Sequence, residues 1–347
     1  MGREGLLKLA DEIKVVKYSN EEDLVQRYIS FLEKHYANDV RLPYLLKNVS
    51  RLLSEKNPFF EKNIISSYLV VRGEEILGHC SAVIDLRNGG IGLIGFFDCV
   101  EDIEVSNTLL EAAVNFLKEN GCKTIRGPIN LSIWHDYRFT MPDSRNLTIF
   151  DPFCKEYYLK FWKEFGFEEA NRYVSAVRKD FSFIIPQTEE SYKEHKKEGF
   201  IIRPLNKGES DSKLILDLSN RIFRDSWNFV PLTYGELIYL YGGILDKLDS
   251  EFLEIVETKT GEPIAFCFSI PNILDKKQLI LKTIGVVKEF REQNVAAALL
   301  FSQHIKAKEK GFEEVYYSLI HNKNNVMKFP YGGYDIVSEY VVLELPN

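Results

Sequence analysis

The chain carries an internal repeat. Ile94-Gly95 is answered by Ile284-Gly285, Leu109-Leu110 by Leu299-Leu300, and Gly121 (after KEN) by Gly311 (after KEK), all at an offset of 190 residues. RGEEIL around Gly73 matches TGEPIA around Gly261 at 188, and IKVVKYSNEED resembles FIIRPLNKGES at a similar spacing. Downstream, KEFGFEEA around Gly166 answers PYGGYDI around Gly333 at only 167, which gives the first half about 23 extra residues, placed at Leu131–Phe153. A repeat constrains a fold more than any local signal does, because both copies must build the same unit. The 347 residues also suit two domains better than one. The expected boundaries are 1–180, including the insertion at 131–153, a connection at 181–199, and 200–347. The connection holds Pro186 and a charged run that reads as a solvated helix face.

Each unit alternates strands with helices, an α/β (α+β) pattern. In the second, FIIRPL is a short strand, and SKLILDLSNRIFR has the 3–4 spacing of an amphipathic helix. Phe252–Glu257 and Pro263–Ile270 flank a Lys259-Thr260-Gly261 turn and predict a hairpin. Gln278–Val287 reads as a long strand, and Ala296–Lys310 as a helix stopped by Gly311. Glu314–Ile320, Asn322–Phe329 and Ile336–Leu345 follow as strand, short helix and strand.

Hydrophobic residues make up 45% of the chain, enough to bury a core in each unit. With 44 bases against 51 acids, the net charge of -7 argues against phosphate-backbone binding, so no nucleic-acid partner is expected. Cys80, Cys99, Cys122, Cys154 and Cys267 show neither CxxC nor Cys/His ligand spacing, so no metal site is expected and the thiols read as reduced and cytoplasmic. MGREGLLKLADEIK has no apolar segment of signal-peptide length and no Ser or Thr at position 6 for myristoylation. No window approaches 18 apolar residues, so no membrane association is expected. No GxSxG or Walker loop is present.

The most informative stretch is VVKEFREQNVAAALL, from strand into helix. It resembles the acyl-CoA loop of the GNAT superfamily of N-acyltransferases, a Q/R-x-x-G-x-G/A pattern, with Arg291, Asn294 and Ala296 at the patterned positions. The chemistry behind such a pattern is plain: a pyrophosphate needs several backbone N–H groups at a helix N-terminus, with small side chains to admit it. Asn294 departs from glycine but tolerates a left-handed conformation, and Glu292 places a negative charge nearby. In the first unit the equivalent DCVEDIE carries Asp98, Glu101, Asp102 and Glu104 and no base, so that copy is expected to have lost CoA binding. RGPIN at Arg126–Asn130, FCKEYYLKFWKEFGFEEA and DSWNFVPLTYGEL at Asp225–Leu237 resemble a tandem bacterial branch of the same superfamily.

The resemblance implies two tandem GNAT-like domains, each a mixed, mostly antiparallel sheet flanked by helices. It implies an acyl-CoA-dependent N-acyltransferase, using acetyl-CoA on a small-molecule amine, as a monomer or homodimer. Val286, Val287, Arg291, Glu292, Gln293, Asn294, Val295, Ala296, Ala297 and Asn322 would hold the acyl-CoA. Arg224, Trp227 and Phe229 would line the acceptor side. The family's usual leaving-group acid, a Tyr four residues before the Gly-aromatic pair Gly333-Tyr334, is Phe329 here. Tyr331 is the substitute acid, and His321 the candidate base. Two rival readings follow from the same residues: a non-catalytic acyl-CoA or amine sensor, and a Fem-type aminoacyl transferase, which would want a basic groove.

Overall fold

The structure, a computed structural model, describes residues 12–19, 21–145, 148–206, 208–245, 250–323 and 333–346. The chain forms two compact units. One comprises Met1–Pro142, Pro152–Arg172 and Tyr340–Asn347, the other Asp143–Asp151 and Tyr173–Glu339.

The first unit begins with β1 (Ile13–Tyr18), α1 (Glu22–His35) and α2 (Leu42–Leu52). It continues with β2 (Asn63–Arg72), β3 (Glu75–Asp85), β4 (Ile91–Cys99), α3 (Ile103–Glu119), β5 (Thr124–Gly127), β6 (Phe139–Thr140) and α4 (Glu156–Phe165). β1 to β4 pair antiparallel in chain order, whereas β4 and β5 run parallel. Parallel neighbours need a crossover, and α3 supplies it. Its residues Val105, Leu109, Ala113 and Leu117 repeat every four positions, so one face lies buried against the sheet. Trp162 and Tyr158 of α4 fill the same core with Phe97, the Trp162 ring meeting Phe97 edge-on at 5.2 Å.

Strand β7 (Glu168–Arg178) divides between the units at Arg172/Tyr173. The second unit adds α5 (Phe181–Lys197), β8 (Ile201–Pro204), α6 (Glu209–Ile222), α7 (Tyr234–Leu245), β9 (Leu253–Glu257) and β10 (Pro263–Pro271). β11 (Gln278–Val286), α8 (Val295–Glu309), β12 (Glu314–His321) and β13 (Asp335–Leu345) complete it. The logic of the first unit recurs: β8 to β11 are antiparallel neighbours, β11 and β12 run parallel around the crossover α8, and β12 pairs antiparallel with β7. Each predicted strand of this half lies within one or two residues of its expected place, and Gly311 closes α8 in the left-handed conformation (φ 81°). The segment Asn322–Phe329 falls mostly outside the described residues.

Three expectations are corrected. Most of Phe181–Gly199 is the helix α5 (Phe181–Lys197), and the segment lies inside the second unit, not between the two. Phe181, Ile184, Thr188 and His195 recur along it and are buried, and Tyr192 packs on Phe301 of α8 at 4.8 Å, so the helix has a packed face besides the solvated one read from its charges. The boundary after residue 200 also fails at the C-terminus, because Leu343–Leu345 of β13 pair with Ile125–Gly127 and so complete the first unit's sheet. The insertion Leu131–Phe153 is not one loop: Leu131–Pro142 belong to the first unit and Asp143–Asp151 to the second. Phe139 pairs opposite Val341 and stands edge-on to Trp162 at 5.2 Å, so this part is core.

Candidate functional site

The second unit opens a gap in its own sheet. β11 and β12 pair over Gln278–Leu281 and Glu314–Tyr317 and then part. Both strands are irregular at that level. The β10–β11 register slips between Phe268 and Ser269, leaving Lys282 as an extra residue. The β12–β7 register slips between Tyr317 and Ile320, where Leu319 has φ 55°. A bulge bends its strand and raises the local twist, and two bulges at one level drive neighbouring strands apart.

The open edge of β11 presents polar backbone. Val287 N donates to Ile264 O at 2.9 Å. Antiparallel ladders alternate, so Gly285 and Thr283 also turn their N–H groups toward β10, and those of Ile284 and Val286 point into the gap. Gly285 is needed for another reason: a Cβ there would lie 2.8 Å from Ile222 Cγ2 of α6.

Beyond Val286 the chain runs through eight residues, Val287–Asn294, before α8 begins. Asn294 sits immediately before the helix in the left-handed region (φ 57°, ψ 17°), as its place in the motif requires. Among the described residues no side chain caps α8, and its first turn holds no acid. A helix leaves its first N–H groups without intrahelical partners and carries partial positive charge there. The first residues of the helix, Val295, Ala296 and Ala297, carry small side chains. This donor set fits a pyrophosphate. Glu292 and Gln293 are exposed on the loop before it.

Arg291 is anchored to backbone on both sides of the loop. Its Nε donates to Val286 O (3.2 Å) and its Nη2 to Ile222 O (2.9 Å), so the guanidinium ties the loop to α6. Lys288 adds an ion pair to Asp225 at 3.4 Å. These links bring the turn after α6 beside the loop. That turn carries exposed Arg224 and half-buried Trp227 and Phe229. It is closed by Asn220, whose amide accepts from Leu232 N (2.9 Å) and donates to Leu232 O (3.0 Å). Thr233 and Glu236 then start α7 with a reciprocal capping box, Glu236 Oε2 accepting from Thr233 N at 2.7 Å.

His321 ends β12 half-buried, edge-on to Tyr173 at 5.1 Å, with exposed Asn322 beside it. Its Nδ1 accepts from Lys323 N at 3.1 Å, which puts the neutral ring's proton on Nε2 and makes that atom a donor. Tyr331 and Phe329 lie outside the described residues. Where the gap begins, a chain that sequence reading missed runs through the core. His304 Nδ1 donates to Leu300 O, so its Nε2 accepts from Tyr317 Oη (2.7 Å), and Arg178 Nε donates to the same phenol oxygen (3.0 Å). Burial lowers the His304 pKa to about 4 and raises that of Tyr317 to about 12, with Arg178 pulling the latter back. A recess lined by Lys179, Asp180, Phe181, Ser182, Lys308 and Phe312 lies at the far end of α8, where Asp180 caps α5.

The first unit closes each of these features. β4 and β5 also stop pairing, after Leu93 and Arg126, but the chain folds back into the gap. Ile129 N donates to Ile94 O (2.8 Å), and Phe96 N to Asn130 Oδ1 (2.6 Å). Gly95 permits this, since a Cβ there would lie 2.2 Å from Ile129 O. Only Val100–Asp102 connect β4 to α3, and the Asp102 carboxylate caps that helix through Glu104 N (2.9 Å). Asp98 is not on this loop's surface: it is buried on β4, accepting from Tyr28 Oη (2.5 Å) and Tyr36 Oη (2.6 Å). Burial raises its pKa to about 6, against the pull of the tyrosine hydrogen bonds.

No protein-family model matches the sequence. A bacterial ceramide synthase of Caulobacter vibrioides (strain NA1000 / CB15N) is 25% identical over 278 residues, 76% of this chain and 71% of that protein. Among solved structures, a tandem GNAT protein from the clavulanic acid biosynthesis pathway aligns with a TM-score of 0.59 at 9% identity, covering 96% of this chain and 98% of its own. A GCN5-related N-acetyltransferase from Sphaerobacter thermophilus gives 0.52 at 11%, with 95% of each chain covered. A GCN5-related glucosamine N-acetyltransferase region in a fungal multi-domain GH3 β-N-acetylglucosaminidase gives 0.59 at 13%, covering 96% of this chain but 38% of that protein. This chain therefore spans well under half of the fungal enzyme. The chain has the tandem GNAT fold.

Proposed function

We propose that the protein is an acyl-CoA-dependent N-acyltransferase whose site lies in the second unit and acts on a small-molecule amine. The observation that carries this reading is the uncapped N-terminus of α8 at the mouth of the β11–β12 gap, with both features closed in the first unit. Bound acyl-CoA supplies an activated thioester. The α8 amides and the loop from Arg291 to Ala297 hold its phosphates, and Arg291 keeps that loop in shape. The N–H groups of Ile284 and Val286 polarise the carbonyl oxygen in the manner of an oxyanion hole. Tyr331 protonates the departing thiolate. His321 takes the amine proton once the Lys323 contact is released, because Nδ1 is otherwise occupied.

Acetyl-CoA is the simplest donor. A second reading, of a long hydrocarbon chain on donor or acceptor, is favoured by two observations. One is the similarity to a bacterial ceramide synthase. The other is α7, YGELIYLYGGIL, whose one charged residue is spent in the capping box while Ile238 is 38% exposed. The test is thiol release from acetyl-CoA and palmitoyl-CoA, each with short amines and with a sphingoid-type amine. Transfer in any arm, lowered roughly 100-fold by Tyr331→Phe with little change in acyl-CoA affinity, supports the assignment. Binding without transfer in every arm favours the sensor.

A further inference from the structure

The bulge on β12 is held by one hydroxyl. Opposite β7, Tyr317 pairs with Ala176 and Ile320 with Val174. Ser318 and Leu319 therefore face the single residue Ser175, the two-against-one count of a β-bulge. Such a bulge removes one N–H from the ladder, and a buried backbone donor without a partner is strongly disfavoured. Leu319 N meets that need by donating to Ser175 Oγ at 3.0 Å, and Ser175 is fully buried. Leu319 itself has φ 55°, a conformation that branched side chains rarely adopt and keep only where their surroundings impose it. The bulge follows directly on Tyr317, the last residue of β12 that pairs with β11.

We propose that Ser175 is a positioning residue for acyl transfer. By accepting from Leu319 N it fixes the bulge that turns β12 away from β11, and so keeps the N–H groups of Ile284 and Val286 free to meet a thioester carbonyl. Without the hydroxyl, Leu319 relaxes to negative φ, the register slips by one residue, and β12 closes toward β11. This assignment rests on the acyltransferase reading for its catalytic consequence but not for its structural one. Ser175 does not touch the reacting atoms. The phosphate-binding end of the site, on α8, does not depend on it.

The experiment compares the wild-type chain with Ser175→Ala, Leu319→Gly and the double variant Ser175→Ala/Leu319→Gly. Three quantities are read: amide hydrogen exchange of the 315–321 segment, the acyl-CoA dissociation constant, and kcat separately from KM. Ser175→Ala is expected to speed exchange across 315–321 and to lower kcat about 10- to 100-fold, the scale of a misplacement near 1 Å. Its acyl-CoA affinity should stay within about 2-fold, as suits a site whose phosphate end is untouched. Leu319→Gly should behave as wild type. The double variant should recover part of the lost turnover, because glycine takes positive φ without steric cost although the N–H at 319 still lacks its acceptor. Unchanged exchange and turnover in Ser175→Ala would overturn the proposal. So would a parallel loss of kcat and affinity that Leu319→Gly fails to rescue, since that is the mark of general destabilisation. If the wild-type chain transfers to no amine, the acyltransferase reading fails, and the exchange data alone still decide whether Ser175 holds the bulge.

Discussion

Asn294 is where sequence and structure agree most closely at the scale of a single residue. The motif demands a left-handed residue before a helix, and asparagine at φ 57° supplies it without closing the helix end by a side chain. Changing it to Asp places a carboxylate at an anion site and should cost about 1–3 kcal/mol of acyl-CoA affinity in calorimetry. Asn294→Gly, which keeps the backbone conformation, should leave affinity near wild type; a loss as large as that of Asp would mean that the backbone here does not hold the phosphates. Other single residues were illegible. Arg291 stood at the patterned position, yet its side chain ends on Val286 O and Ile222 O, because a guanidinium goes to the nearest carbonyls the fold leaves open. Asp98 read as one of four acids around the first unit's equivalent of the phosphate loop. Its burial among Tyr28, Tyr36 and Tyr158 depends on residues 60–70 positions away in sequence, which no local pattern records.

Elements were legible where their signal is periodic and local. The strands of the second unit, α6 and α8 follow from 2- and 3.6-residue spacing and from Gly311. What failed was whatever depended on pairing. The bulges at Lys282 and Ser318–Leu319 have no sequence signature, because they are defined only against β10 and β7. The insertion Leu131–Phe153 showed in sequence only as extra residues in the first half. Phe139 is buried in the first unit's core against Trp162 and Tyr158, and Phe150 packs on a core cluster of the second unit. Phe139→Ala should therefore destabilise the first unit by about 3–5 kcal/mol in denaturant titration, leaving acyl-CoA affinity unchanged. Equal stability would mean that Phe139 is not part of that core.

At the scale of the whole molecule, the two units share a plan and differ in what it leaves open. Both also bury neutral histidines. Burial lowers His35 and His304 to about 4, and His79 and His135 to about 3. A histidine whose folded pKa lies below its unfolded value near 6.5 contributes stability that is complete above 6.5 and lost as pH falls toward 4. Asp98, raised to about 6, works in the opposite sense over the same window, since the folded state holds its proton more tightly. Four histidines against one carboxyl give a net loss, so the thermal midpoint should fall between pH 6.5 and 4. His304→Gln, which keeps an acceptor for Tyr317 Oη, should flatten that fall for the second unit; an unchanged pH slope would mean that His304 does not titrate on unfolding. The deeper claim is that one fold, repeated, keeps a single working site. Titration calorimetry with acetyl-CoA and palmitoyl-CoA tests it directly, on the wild-type chain and on Asn294→Asp and Asp102→Asn. The expected result is one site per chain for a donor that binds, weakened by Asn294→Asp and indifferent to Asp102→Asn. Two sites per chain, or a single site that Asn294→Asp leaves intact, would contradict it.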